Sequence, residues 1–486
     1  MCPPLLLSCL LICLGCSAAQ TTLPNSAVPD SAAALPVTTR SASNLHPENS
    51  KLLVILIDGL RWDAINTSHI HHGEGCAEGC VDAESFFTTV QRVGATAAYN
   101  NPVFPTTPTP NWNTIASGLL PMSHGVLSDT GRTLETAGLT PIWESSVSSG
   151  KKTALIGWTS CDGVTTDPLL ICTDRISLSG AANLLVQLTG DAALAAELLV
   201  AQEHSLVMMR TSLVYWASEH VGPKSKFVRR MMAEMEAVLE ELFLELRNAG
   251  IWDKVSVVLV SGNGQTSTRP AVSRPVRVEE CLTAPVHYRY SSAGSAILIP
   301  PEHTTAEQMV EQLEKCEEFA PGTASWYQKT ELPPVDQWAG GNNEVLLVAS
   351  EGFALRDVVN RTSGRDLLYS EDGDLQLARA ELPRGPAGGR GRMAGDGYDT
   401  ANLDMNAVFI AKGPGVVRGV TGASILQTDV YQVLCHLAGL QPQLHHGQWD
   451  TVDWMMVPSA CSTMQPTHHA IVASLMLIYT LYYVLQ

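Results

Sequence analysis

The chain has 486 residues, 30 Lys and Arg against 48 Asp and Glu, a formal charge of −18, 45% apolar and 16% charged residues. That much apolar material builds a sizeable core and excludes a globally disordered chain. The acidic balance repels phosphate backbones and argues against nucleic acid as a partner.

Residues 1–19, MCPPLLLSCLLICLGCSAA, read as a signal peptide. An apolar run of the right length ends in small residues, with Ser17 and Ala19 placed for cleavage. No Lys or Arg precedes the run, and a cytosolic apolar N-terminus is the alternative; secretion is the expectation taken. Residues 20–50 are rich in Thr, Ser, Pro and Ala with no hydrophobic period, which reads as a disordered lead-in.

The folded body is expected over 51–455. It opens with KLLVILIDGLRWDAI, where Leu52–Ile57 reads as a buried strand delivering Asp58 and Gly59 at its end. HIHHGEGC (residues 69–76) follows; its histidines are read as an exposed loop, with a zinc site as the alternative. Further strands are expected at TALIGW (Thr153–Trp158), within Ser205–Ala217, at VSVVLVS, SAILIP, EVLLVAS and AVFIAKG. Phe227–Gly250 has apolar residues at helical spacing, an acid-rich outer face and Gly250 as a stop. Such alternation implies an α/β fold, a mostly parallel central sheet with helices on both faces. Leu382–Gly397 is Gly- and Arg-rich but lacks a strand-to-helix fingerprint, so it reads as a surface loop.

Residues 456–486 hold small residues (Ser459, Ala460, Cys461), a polar spacer and an apolar tail from Ala470. That order is a glycolipid-anchor signal, with attachment at Ser459 or Ala460 and a removable tail. A short C-terminal membrane helix is the alternative. In an oxidising compartment, Cys76/Cys80 and Cys161/Cys172 are natural disulfide pairs, with Cys281/Cys316 a further one. Asn66 and Asn360 head glycosylation sequons. These features place the protein on the extracellular face of the cell surface, held to the membrane by its anchor.

One strand is anomalous. In open α/β sheets ligands sit beyond the carboxyl ends of strands. Yet VSVVLV ends in Ser261-Gly262-Asn263-Gly264, which offers no ionisable group.

Three stretches account for it: VILIDGLRWD, VFPTTPTPNWNTIASGLLPMSHGVLSD and GDGYDTANLDMNAVFIAKGPGV. Together they resemble the nucleotide pyrophosphatase/phosphodiesterase family, type I phosphodiesterases of the alkaline phosphatase superfamily. LQTDVYQVLCHLAGLQPQLHHG is similar to that family's closing helix. The resemblance implies an alkaline-phosphatase-like fold and two zinc ions that clamp a phosphodiester while a Thr attacks. Paired metals held by Asp and His stabilise both the attacking and the leaving oxygen.

Carried over position by position, that machinery is depleted. Asp58 matches the first ligand. The nucleophile column falls on Pro108, which has no hydroxyl. The phosphate-binding Asn column falls on Asp129. An Asp-x-x-x-His pair falls on Tyr215 and Glu219 when anchored on Gly222-Pro223, or has Trp216 in its Asp column when anchored on His220, and neither register supplies the Asp. An Asp-His pair falls on Gly262 and Asn263, and a last His on Asp396. Of the six metal ligands implied, only Asp58 is kept in both registers, and one carboxylate does not hold two zinc ions. At an effective dielectric of 20, Asp129 about 4 Å from a phosphate costs roughly 4 kcal/mol.

The expectation is therefore a catalytically degenerate member with no cofactor, acting by binding an unidentified protein or small molecule. Four alternatives stay open. Thr106, Thr107 or Thr109 substitutes as nucleophile, although Thr109 also fits as a helix N-cap ahead of Pro110. Asp58, Glu219, Asp396 and Asp129 converge on a weak Mg²⁺ or Ca²⁺ site. Or the chain is a working nucleotide or lipid phosphodiesterase with a rebuilt metal site, or a non-catalytic subunit of an active relative.

Overall fold

The computed structural model describes residues 50–66, 85–128, 133–158, 167–173, 180–268, 278–317, 322–333, 336–355 and 393–457. The signal peptide, most of the lead-in, the 69–76 histidines, Cys76, Cys80, Asp129, Cys161, Asn360 and the anchor segment with Ser459 and Ala460 lie outside the described residues.

The central sheet has eight strands: β1 (Lys51–Ile57), β2 (Ala95–Ala97), β3 (Thr153–Ile156), β4 (Leu170–Thr173), β5 (Leu206–Thr211), β6 (Val255–Val260), β7 (Phe409–Lys412) and β8 (Val420–Gly422). Their order is β8, β2, β7, β6, β1, β5, β3, β4. All neighbours are parallel except at β7, which runs antiparallel to β6 and β2. The mostly parallel sheet expected from the alternation is present.

β1 is apolar along its whole length because it is covered on both faces. Leu53, Ile55 and Ile57 pack with α1 (Phe86–Val93), α4 (Ala181–Val200), α5 (Leu213–Val221) and α6 (Lys226–Asn248). Leu52, Val54 and Leu56 pack against α2 (Pro108–Ser117), α3 (Ile142–Ser148) and α8 (Gln427–Ala438). Each such residue contributes about 1.5–3 kcal/mol when fully buried. The α6 helix ends as its sequence implies, with Gly250 at φ 68° just past the last turn.

The strand expected within Ser205–Ala217 is β5, which stops at Thr211, with α5 following from Leu213. That apolar run serves a buried strand and then a buried helix face, which composition alone does not separate. SAILIP and EVLLVAS belong to a second, antiparallel sheet rather than the central one. That sheet runs in the order Ala324–Gln328, Val345–Ala349, Ser295–Ile299, His287–Ser291, with α7 (Ala306–Glu314) against it. The N-cap of α2 is Thr107, not Thr109, because Pro108 already occupies the first helical turn.

Cys281 and Cys316 form a disulfide with Cα atoms 5.2 Å apart. Cys172 is disulfide-bonded as well; its expected partner is outside the described residues. Asn66 closes a short 3-10 turn, Ala64–Asn66.

Candidate functional site

The site is built where β1, β5 and β6 end side by side. Side chains alternate across a strand, so Asp58 continues the Leu52, Val54, Leu56 row toward α2. On β5 the same alternation sends Leu206, Met208 and Arg210 to that face. The register pairs Leu56 with Arg210 and Ile57 with Thr211, which sets Arg210 diagonally behind Asp58.

Both carboxylate oxygens of Asp58 are engaged. Trp112 on α2 donates its indole N–H to Oδ1 at 3.0 Å. Arg210 donates Nε–H to Oδ2 at 2.8 Å. The Arg210 and Asp58 side chains are 5% and 1% exposed. The guanidinium carbon lies 3.2 Å from the centre of the Trp112 ring, a cation–π contact. A buried carboxylate needs a cation or strong donors around it. Here arginine supplies the positive charge that a metal would supply.

The other implied positions follow suit. Pro108 stands at the start of α2, so the nucleophile column holds a ring with no hydroxyl. The loop before it is clamped by Asn111, whose Nδ2 donates to the carbonyls of Pro105 at 3.2 Å and Thr107 at 2.9 Å. Asn111 Oδ1 accepts from the Val103 amide at 2.8 Å. The candidate replacement hydroxyls are occupied: Thr106 donates to the Tyr398 carbonyl at 2.6 Å, and Thr107 accepts from the Tyr290 hydroxyl at 3.3 Å. Thr109 sits half-buried in the first turn of α2, its carbonyl accepting from Asn113.

Gly262 explains its own side-chain loss. A Cβ there would lie 3.2 Å from Asn111 Cβ and 3.3 Å from Trp112 Cδ1, so the indole fills the room an aspartate would need. Asn263 is buried, its Nδ2 donating to the Gly264 carbonyl at 2.8 Å. Gly264 passes too close to the Asp404 carbonyl for any side chain.

Tyr215 and Glu219 lie on α5. The Tyr215 backbone packs against Gly59, which sits at φ 69° with no space for a Cβ. The Glu219 carbonyl accepts from the Met393 amide at 2.8 Å, tying α5 to the two-residue strand Ala394–Gly395 that presents Asp396. Asp396 is buried, and its carbonyl accepts from Gly294 at 2.8 Å. Burial pushes the phenols of Tyr290 and Tyr398 upward, and the Asp396 charge adds to both shifts.

Among the described residues no three His, Cys, Asp or Glu side chains form a group able to hold a metal ion. Asp58, Glu219 and Asp396 therefore do not assemble the hard-cation site considered above; Asp129 is outside the described residues. The buried histidines near α2 have other work. His446 Nδ1 accepts from the Leu120 amide at 3.2 Å, and His124 Nδ1 from the Val126 amide at 3.0 Å. His445 packs edge-on to Tyr431, with burial holding its imidazole down at about 4.

Arg210 and Trp112 went unnoticed in the sequence, although each left a trace. Arg210 is a lone charge inside LVMMRT, a strand otherwise apolar up to its end. Trp112 directly follows the matched Asn111.

The comparisons with known proteins agree with this frame. The family model for type I phosphodiesterase / nucleotide pyrophosphatase matches residues 52–357. The chain belongs to that family. It is 22% identical over 440 residues to ectonucleotide pyrophosphatase/phosphodiesterase family member 5 of Homo sapiens, covering 84% of this chain and 79% of that one. It is 20% identical over 460 residues to the Mus musculus bis(5'-adenosyl)-triphosphatase, covering 89% and 86%. Among solved structures, murine ectonucleotide pyrophosphatase/phosphodiesterase 5, in an inactive threonine-to-alanine form in complex with AMP, superposes with a TM-score of 0.64 at 20% identity, covering 84% of this chain and 100% of that one. The likeness establishes the α/β, alkaline-phosphatase-like fold.

Proposed function

We propose that this chain is a non-hydrolytic member of its family that works by binding, outside the cell, held to the membrane by a C-terminal lipid anchor. The observation that carries the reading is the Asp58 knot: its oxygens are held by Trp112 and Arg210, and the nucleophile column holds Pro108 at the start of α2. Paired-metal phosphodiester hydrolysis needs several Asp and His donors per ion and an attacking group. Two buried charges that already satisfy each other leave a phosphoester neither a Lewis acid nor a nucleophile. The mouse relative's name describes a triphosphatase activity. Its transfer to this chain would need a hydroxyl where Pro108 stands. The inactive murine form in complex with AMP offers a precedent, in that protein, for nucleotide binding without turnover.

The test is hydrolysis of a chromogenic nucleotide phosphodiester by the full-length chain purified in detergent, with Zn²⁺, Mg²⁺ or Ca²⁺ added in turn. The expected result is no turnover above buffer. Turnover that disappears in Asp58→Ala contradicts the proposal. Release of the chain from intact cells by a phosphoinositide-specific phospholipase tests the anchor; retention after treatment counts against it.

A further inference from the structure

Residues 440–447 close over α2 and α8, and two consecutive histidines sit in the seam. His445 is 1% exposed and His446 7%. The His446 amide donates to the Gly118 carbonyl just past α2, at 2.8 Å. The Gln443 amide donates to the Tyr431 hydroxyl on α8, at 3.0 Å. Gly118 sits at φ 69°, with His445 Cβ packed so close that a side chain there has no room.

Both imidazoles have to be neutral for this packing to hold. The Leu120 amide donates to His446 Nδ1 at 3.2 Å. A backbone amide only donates, so that nitrogen carries a lone pair, and a proton on it would set one N–H against another. His445 lies edge-on to Tyr431, and neither of its ring nitrogens has a hydrogen-bond partner among the described residues. A second proton on that ring buries a charge and leaves two donors unpaired.

The groups around the pair offer no compensation. Among the described residues no carboxylate charge acts on either ring. Asp429 on α8 engages the Leu426 and Gln448 amides and the Thr451 hydroxyl instead. Burial pushes the Tyr431 phenol and the Cys435 thiol upward, so both stay neutral. His436 lies against Trp449, and His124 Nδ1 accepts from the Val126 amide. Burial, and then the His446 charge, hold His445 down at about 4; burial holds His446 down as well.

We propose that His445 and His446 form an acid-released latch: their uncharged rings hold residues 440–447 to the end of α2 at neutral pH, and proton uptake in an acidic compartment frees the segment. The release reaches the Asp58 knot, because α2 carries both Pro108 and Trp112. The latch goes beyond the non-hydrolytic reading and does not depend on it. Since the folded chain holds His445 below its ordinary 6.5, its contribution is whole above that pH and is lost as pH falls toward about 4. His445 alone raises the opening equilibrium about thirtyfold between pH 7.5 and 5. Burial raises Asp429, which acts with the opposite sign and is common to every variant compared.

The test is hydrogen–deuterium exchange of the full-length chain in detergent at pH 7.5 and 5, corrected for the intrinsic pH dependence of exchange. Peptides covering residues 114–126 and 440–448 should be less protected than β1 at both pH values, and their protection should fall about thirtyfold or more in acid. In His445→Phe/His446→Asn, where the new amide oxygen can still accept from Leu120, the fall should shrink to about threefold or less. His445→Phe alone should gain protection at pH 7.5, because it removes the unpaired ring donor; a merely structural imidazole would lose it. His303→Asn, at an exposed turn, should keep the full response. An undiminished fall in the double variant, or no fall in the unaltered chain, overturns the proposal. So does protection equal to that of β1, which would mean that the segment opens only with the whole fold. Thermal melting at pH 7.5 confirms that each variant is folded.

Discussion

Replacing Arg210 by Met isolates the contact on which the site depends. Met keeps an apolar stem near Trp112 but removes the guanidinium, leaving the buried Asp58 carboxylate without the positive charge beside it. Breaking a buried pair from one side costs about 3–5 kcal/mol, because the remaining charge stays desolvated. The loss includes the stacking of the cation on Trp112, itself about 2 kcal/mol when water is excluded. Asp58→Asn alone should cost a similar amount, since it takes the Asp58 charge away from the buried Arg210 guanidinium. The double variant should cost less than the sum by about 3 kcal/mol, because the introduced amide still accepts from Trp112 and no orphan charge remains. Urea unfolding of all four proteins, followed by tryptophan fluorescence and circular dichroism, measures the cycle. Single variants that each cost less than about 1 kcal/mol, with effects additive within about 0.5 kcal/mol, would refute the account of Asp58 as an internally compensated carboxylate.

Gly262→Asp with Asn263→His restores two ligand types but not the space for them, because the indole of Trp112 borders position 262. The expected outcome is lower stability and no bound zinc by elemental analysis. Glu236 accepts from the Ser85 hydroxyl at 2.8 Å and the Phe86 amide at 3.0 Å at the start of α1, and burial pushes its carboxyl up to about 7. A raised folded-state pKa contributes stability that is full below the ordinary carboxyl range and is lost as pH rises through about 7. Unfolding midpoints measured from pH 5 to 8 should fall less steeply in Glu236→Gln than in the unaltered chain. Removing the Cys281–Cys316 disulfide, which spans 35 residues, should cost about 4 kcal/mol on the loop-entropy model, read from urea denaturation of Cys281→Ala/Cys316→Ala against the unaltered chain.

How much the sequence disclosed depended on the kind of signal. β1, β6 and the α6 helix were legible because each carries one uninterrupted pattern, a continuous apolar run or a helical stripe. The departures at Pro108, Gly262, Asn263 and Asp396 were legible because they are substitutions against a known motif. The reason for them was not. Nothing in one dimension says that Arg210, in the next strand of the sheet, reaches Asp58, or that Trp112 turns its indole toward both Asp58 and the Gly262 backbone. These contacts join residues 152 and 54 positions apart. The second sheet was not legible, since SAILIP and EVLLVAS read as buried strands whichever sheet they join. The choice of Thr109 over Thr107 as helix cap turned on which of two nearby prolines opens the helix, a local ambiguity that propensity does not resolve.

Metal content is the most direct arbiter. Full-length chain purified without chelator, then dialysed against zinc and analysed by inductively coupled plasma mass spectrometry, should carry well under one zinc per chain. It should also show no difference from Asp58→Ala. Two zinc ions per chain, lost on that substitution, would mean that Arg210 yields to metal and that the machinery of hydrolysis is intact.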